Sequence, residues 1–388
     1  MQYRGSILGG VLKLIDRRQF AALVERHDGD AYDKKFDSWN HLVCLISGQL
    51  SGAASLRELE AAWQANAHHH YHLGVGPLRR STLSDANQRR PTAIFADLFN
   101  LLVKQAGSSA RRDGKEMVRL IDATPIPLGK AVQWAQSNGR IRGLKLHVVY
   151  DPKADLPDRL SITAATVNDI TLGREVPIEA GMTYVFDKAY CHYGWWTEID
   201  RAAAYWITRR KTNAHFRTIC RRPLGTDAGD GFTLLGDTEV VLAQQQRAKL
   251  PIALRRIRLR RHADGKIMEL LTNDMSRPAA DIADLYKVRW QIELLFRWIK
   301  QHLNIRRFLG TSDNAIRLQI LAAMIAFVLL RMVARLHRST MPAIRFAQLV
   351  SQCLFVRKTI ARIDKPPEVN PSRPQRHDNT NQLSFSYA

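Results

Sequence analysis

The chain has 388 residues, enough for two or three structural units and a sizeable core. Its 58 Lys and Arg outnumber 36 Asp and Glu, a formal charge of +22, which points to a polyanionic partner and makes nucleic acid the leading candidate over a membrane surface. The four cysteines, Cys44, Cys191, Cys220 and Cys353, are too scattered for a CxxC metal site and too few for a disulfide scaffold, so a reducing compartment is expected. No signal peptide, lipidation signal or basic amphipathic anchor is read in the sequence.

From Leu8 to Ala106 apolar residues recur at spacings of three and four, predicting helices over Leu8–Leu23, Leu42–Leu50, Leu56–Trp63 and Ile94–Val103. The segment Ser51–Ser55 opens the Leu56 helix. In Arg79–Arg89, Ser81 or Thr82 is expected to cap a helix bearing Asn87, Gln88, Arg89 and Arg90, residue types that read base edges and phosphates; the alternative is a polar helix in a small bundle. His68, His69, His70 and His72 would diverge around a helix rather than converge on a metal, so they read as a polar, partly basic surface.

After a charged connector at 110–116 the pattern changes to short strands, predicted at Met117–Thr124, Leu144–Tyr150, Arg159–Val167, Met182–Phe186 and Tyr205–Thr208. Helical stretches separate the third from the fourth (Leu172–Ala180) and the fourth from the fifth (Tyr193–Ala203), where Trp195 and Trp196 are expected to pack. Three strands in succession followed by alternation imply a mixed α/β sheet. Between Asn213 and Asn273 lies further strand-like material, Phe232–Leu235, Glu239–Leu242, Leu254–Leu259 and Ile267–Leu271, with the basic run Arg255–Arg261. A helix over Tyr286–Lys300 follows, then apolar helices at Ile316–Leu336 and Ile344–Val356. The most apolar run, Leu318–Leu330, has 13 residues, fewer than the ~20 that cross a bilayer, and reads as a buried helix. The segment 364–388 is expected to be disordered.

At roughly 100° per residue, Tyr286, Arg289, Glu293 and Lys300 fall at about 0°, 300°, 340° and 320°, a narrow polar stripe. Leu285, Val288, Ile292, Leu295, Phe296, Ile299 and Leu303 form the adjoining apolar face. Arg289 and Glu293 also have the i, i+4 spacing of an ordinary surface ion pair. Two further carboxylates, Asp122 in Arg119-Leu-Ile-Asp-Ala-Thr and Asp187 in Tyr184-Val-Phe-Asp-Lys-Ala-Tyr, end or interrupt apolar strands. A carboxylate there is costly unless it binds a cation or is well hydrogen-bonded. Together with Glu293 they offer hard oxygen ligands for Mg²⁺ or Mn²⁺; two such ions ~4 Å apart suit phosphoryl transfer. There is no Walker-type loop. His147, between Leu146 and Val148, either faces this site or lies on a half-buried strand surface, and Asn168 and Asp169 end the third strand.

The order Asp122, Asp187, Glu293, with Tyr286-x2-Arg289-x3-Glu293-x6-Lys300, resembles the DDE transposases of bacterial insertion sequences, specifically the insertion-sequence-four family with its YREK signature. The intervals are 65 residues from Asp122 to Asp187 and 106 from Asp187 to Glu293. Lys145-Leu-His147, Val167-Asn-Asp169 and Lys300–Gly310 extend the likeness. The resemblance implies an α/β fold: a ribonuclease H-like mixed sheet with helices, a β-strand insertion and an α-helical N-terminal region. Residues 1–110 then form an α-helical DNA-binding region that includes Asn87 and Arg89. Residues 111–212 and 274–337 are the two parts of the catalytic core, 213–273 the insertion, and 338–363 a C-terminal helical region.

It further implies that Asp122, Asp187 and Glu293 hold two Mg²⁺ ions, with Mn²⁺ able to substitute, and that Tyr286, Arg289 and Lys300 contact DNA near the transposon end. The partners would be double-stranded DNA, both transposon ends and target, with a dimer in the synaptic complex and no membrane, in the bacterial cytoplasm beside the nucleoid. In such chemistry water frees a 3′-hydroxyl, which then attacks DNA. Relatives that close a hairpin use a Trp in the β insertion, whereas residues 213–273 contain none; Phe216 and Phe232 are the stacking alternatives. A nuclease that does not join strands, and a non-catalytic DNA-binding regulator, are the competing readings; the presence of all three carboxylates disfavours the latter.

Overall fold

The structure, a computed structural model, describes residues 5–31, 35–107, 117–129, 132–137, 139, 141–224, 231–243, 250–302 and 308–365. The expected disordered segment 364–388 lies almost wholly outside these residues. Seven helices open the chain: α1 (Ile7–Leu12), α2 (Arg17–Arg26), α3 (Ser38–Ser51), α4 (Leu56–Ala65), α5 (His70–Leu73), α6 (Arg80–Arg89) and α7 (Thr92–Gly107). The single helix expected over Leu8–Leu23 is two, because Asp16 accepts the amides of Arg18 and Gln19 at 2.8 and 3.2 Å and restarts the helix as an N-cap. At α4, Ser55 accepts from the Glu58 amide while Glu58 returns to the Ala54 amide, a reciprocal cap. Ser81 and Thr82 do not cap α6; they lie inside its first turn, after Arg79. The histidine cluster is only half a surface: His69 and His70 are buried, and His70 Nε2 donates to the Trp63 carbonyl at 3.0 Å.

The sheet follows: β1 (Val118–Pro127), β2 (Gly143–Asp151), β3 (Leu156–Ala164), the short α8 (Asp169–Gly173), β4 (Thr183–Phe186), α9 (Tyr193–Arg201), β5 (Tyr205–Arg209), then β6 (Phe216–Arg221), β7 (Phe232–Leu242), β8 (Leu254–Arg261) and β9 (Ile267–Thr272). All nine strands form one sheet in the order β3-β2-β1-β4-β5-β9-β8-β7-β6. β1, β2 and β3 are antiparallel, β1, β4 and β5 are parallel, and the rest antiparallel. Strands β6 to β9 therefore extend the sheet begun by β1 to β5. Its two expected strands around Gly236 are the single strand β7, which absorbs the break as a register shift between Leu234 and Gly236.

The chain ends in α10 (Ala279–Val288), α11 (Trp290–His302), α12 (Asp313–Leu336) and α13 (Ala343–Gln352). α12 is long and apolar enough to cross a membrane by composition, yet 83% of its most apolar window is covered by the rest of the chain. It packs against α3, α6, α7, α13 and β3. One hydrophobic core thus joins the N-terminal helices, α12 and the sheet face carrying Leu120, Leu146, Val148, Val185 and Ile207. The reverse face is covered by α9, whose Trp195 and Trp196 are buried, with Trp196 stacked on Trp206 at 4.2 Å between ring centroids.

A buried ion pair ties the insertion to the segment preceding α10. Arg255 and Asp237 are both under 4% exposed, with Arg255 Nε 2.9 Å from Asp237 Oδ1 and its Nη1 donating to the Arg277 carbonyl. Removing one partner strands the other charge, so Asp237→Ala should lower unfolding stability by about 3–5 kcal/mol, whereas the apolar double replacement Asp237→Leu/Arg255→Met should cost far less. Urea denaturation of the three proteins measures both, and equal losses in the single and double variants would contradict this account.

Candidate active site

β1 and β4 pair in parallel with Ile121 opposite Phe186, so the next residue of each strand is a carboxylate: Asp122 and Asp187 sit at the C-terminal end of that pairing, on strands ~4.8 Å apart. Alternation along β1 puts Asp122 on the same face as Leu120, the face against which α11 docks. Asp187 leaves the sheet as the cap of a single 3₁₀ turn, accepting the Lys188 amide at 2.7 Å.

The expected helix Tyr286–Lys300 is broken. α10 ends at Val288, α11 begins at Trp290, and Arg289 joins them, its amide bonded back to Tyr286 O and its carbonyl accepting from Ile292, both at the tight three-residue spacing. Periodicity could not anticipate this, because Arg289 is engaged by a residue remote in sequence. Its Nη1 lies 3.5 Å from Asp122 Oδ2 and its Nη2 2.5 Å from Glu293 Oε1, so one guanidinium bridges a strand carboxylate and a helix carboxylate. Tyr286 is 6% exposed, with the Arg289 guanidinium 5.6 Å from its ring centroid; it packs within the site rather than facing solvent. Lys300 is half-buried on α11, two turns or roughly 10 Å beyond Glu293. The apolar face holds: Ile292, Leu295, Phe296 and Ile299 are buried, while Leu303 lies outside the described residues.

Asp187 has its own cation, missed in the sequence. Arg209, at the end of β5, donates to Asp187 Oδ1 from Nε at 3.3 Å and Nη2 at 3.1 Å. β4 and β5 run parallel with Val185 opposite Ile207, so two residues further on Arg209 comes beside Asp187. No motif signals this; only the register does.

The two aspartates titrate in opposite directions. Burial, reinforced by the neighbouring charges of Asp187 and Glu293, lifts Asp122 to about 6 against the pull of the Ala123 amide and Arg289. Asp187 is also pushed up by burial, but the Lys188 amide, Arg209 and Arg289 more than offset this and hold it below the ordinary value.

Other sequence candidates fall elsewhere. Asn87 is 3% exposed, its Oδ1 2.8 Å from His41 Nε2, so its side chain is committed inside the bundle. Arg90 is likewise buried, donating to the Phe36 and Asp37 carbonyls. Of that helix, Gln88 and Arg89 remain exposed. His147 pairs with Ala123, one residue off Asp122, and therefore lies on the reverse sheet face, where Nε2 meets Thr163 Oγ1 at 2.9 Å. Phe232 is buried, and Phe216 is half-buried against the reverse-face core, so both are packing residues.

The three carboxylates provide an all-oxygen set whose mutual repulsion is felt at Asp122, the donor chemistry that a hard divalent cation takes. Among the described residues no three such side chains already converge as a cage; Arg289 and Arg209 supply the counter-charge instead.

Residues 113–329, which contain every one of these groups, match the Transposase DDE domain family. The chain belongs to the DDE transposase family. Residues 4–76 of this transposase also match a domain family of unknown function. A Sinorhizobium fredii protein named as transposase y4zB is 57% identical over 305 residues, spanning 79% of this chain and 85% of that protein. A Geobacillus stearothermophilus protein named as a transposase for insertion sequence element IS5377 is 30% identical over 266 residues, 66% of this chain and 69% of its own. In fold, the transposase is similar to piggyBac transposase as seen by cryo-EM, with a TM-score of 0.50 at 10% identity over 93% of this chain and 82% of that one. The ribonuclease H-like mixed sheet agrees with that likeness.

The raised Asp122 gives a pH signature. Its folded value, about 6, exceeds the unfolded ~3.9, so the native state favours the protonated acid; that stabilisation is complete below about pH 4 and is lost as pH rises through 6. Asp122→Asn should therefore be more stable than the unaltered protein at pH 7–8 without divalent cations, by about 2–3 kcal/mol, with the advantage vanishing near pH 4. Denaturation midpoints across that range test it, and a variant less stable at pH 8 than at pH 4, relative to the parent, would contradict the burial argument.

Proposed function

We propose that this transposase binds the ends of its insertion sequence and carries out cut-and-paste transposition, cleaving DNA strands and transferring the freed 3′-hydroxyl to a target. The observation that carries the reading is the adjacency of Asp122 and Asp187 at the end of the β1–β4 pairing, with Glu293 linked to them through Arg289. Asp122, Asp187 and Glu293 would hold two Mg²⁺ or Mn²⁺ ions. When bound, such ions stabilise the attacking and leaving oxygens of a phosphodiester displacement.

The chain's own side chains have separate tasks. Arg209 keeps Asp187 ionised and fixes its orientation. Arg289 sets Glu293 against Asp122, and the ring of Tyr286 supports the guanidinium from below. Lys300, on α11, and the exposed Arg89 of α6 contribute phosphate contacts. Asn87 is left out, since its amide is engaged with His41. The reaction belongs to the bacterial cytoplasm at the nucleoid, with two copies in the synaptic complex, one for each end.

Purified protein, Mg²⁺ and labelled duplexes carrying the element's terminal repeats test this directly. Cleaved ends and strand-joined products are expected; Asp187→Ala should reduce both by more than ~100-fold, a loss that even residues outside a metal's direct ligands can reach, while retaining DNA binding. Cleavage without joined products would favour the hydrolytic nuclease, and full activity in Asp187→Ala would overturn the site.

A further inference from the structure

The basic run Arg255–Arg261 is sorted by the fold into three environments. Arg255 is buried against Asp237, and Arg261 is bonded to Asp264 in the turn between β8 and β9, Nε to Oδ1 at 2.8 Å. The alternate residues Arg256, Arg258 and Arg260 point away from Ile257 and Leu259, both fully buried, onto the opposite face of the sheet. Arg221 of β6 stands opposite Thr238, which stands opposite Arg256, so it shares that face. Arg221, Arg258 and Arg260 are exposed; Arg256 is half-buried, near the hydroxyls of Thr218 and Thr238. The carboxylate that the register sets among them is Glu269, opposite Arg258, and it is shared between Arg258 at 3.5 Å and Arg210 at 2.5 Å.

Toward Leu254 and Leu271 this face is buried in the reverse-face core, but at Arg221, Arg258 and Arg260 it opens to solvent, and among the described residues positive charge there exceeds negative. Along β8 the three arginines span about 13 Å at ~3.3 Å per residue, a length over which duplex DNA presents roughly eight phosphate charges. Guanidinium groups suit phosphate oxygens better than ammonium groups do. The catalytic carboxylates lie on the other face of the same sheet, beside α11. We propose that Arg221, Arg256, Arg258 and Arg260 form a docking surface for the phosphate backbone of duplex DNA, for a segment other than the one held at Asp122, Asp187 and Glu293. The assignment rests on the DNA-transposition reading and adds to it a second, sequence-independent DNA contact carried by the insertion.

The test uses the full-length protein, a labelled end-bearing duplex and a duplex of unrelated sequence, with affinity measured across a salt series. The triple variant Arg221→Ala/Arg258→Ala/Arg260→Ala should bind both duplexes roughly tenfold or more weakly near 0.1 M salt, with a salt slope shallower by about 3, one for each phosphate contact removed. Its melting temperature should be unchanged, because all three side chains are exposed. The corresponding triple Lys variant, which keeps the charge, should restore most of the slope. If the Ala variant melts like the parent and binds with the same affinity and slope, the arginine face is not a DNA contact, while the transposition reading stands. If the unaltered protein binds neither duplex, both fail.

Discussion

Parallel pairing of β1 with β4 is the constraint on which the site depends. Asp122 and Asp187 are separated by 65 residues, and what brings them side by side is the match of Ile121 to Phe186. That register is enforced from both faces of the sheet. Leu120 and Val185 are buried in the core that the sheet shares with the helices, on the side where α11 meets β1, and Ile121 and Phe186 toward the tryptophans of the reverse face. A slip of one residue would turn each apolar set to the wrong side and carry the carboxylates with it. The carboxylates stand where the pairing ends, so they gain rigidity from the strands without lying fully inside the core.

On this frame two arginines decide the electrostatics. Arg209 lies beside Asp187 through the β4–β5 register, and Arg289 lies between Asp122 and Glu293 because the helix is broken at its position. Two residues of the same type on adjacent strands consequently behave differently: Asp122, with one backbone amide and one shared guanidinium, cannot offset its burial, whereas Asp187, with an amide and a guanidinium largely its own, does. The match of residues 113–329 to the Transposase DDE domain family places all of these groups within one family unit.

Much of the arrangement was legible beforehand. The mixed α/β sheet, the place of Asp187 just after β4, the apolar face beside Glu293 and the buried character of α12 follow from periodicity and residue type. Other features were not. The capping by Asp16, the helix break at Arg289 and the continuous strand through Gly236 displaced expected boundaries. Asn87 and Arg90 have the chemistry of base and phosphate readers, yet His41 and two backbone carbonyls engage them first. Arg209 had no motif to announce it.

The difference has a physical origin. Apolar period, cap residues and the spacing of carboxylates act within a few residues or a single element, and the sequence alone determined the α/β class, the family resemblance and the three acids. Register between strands, the choice of which face a side chain occupies, and the partner each charge finds depend on packing between segments far apart in the chain. Tertiary structure alone therefore placed Arg209 beside Asp187, turned His147 away from the site, and divided one run of arginines into a buried brace, a turn contact and an open cationic face.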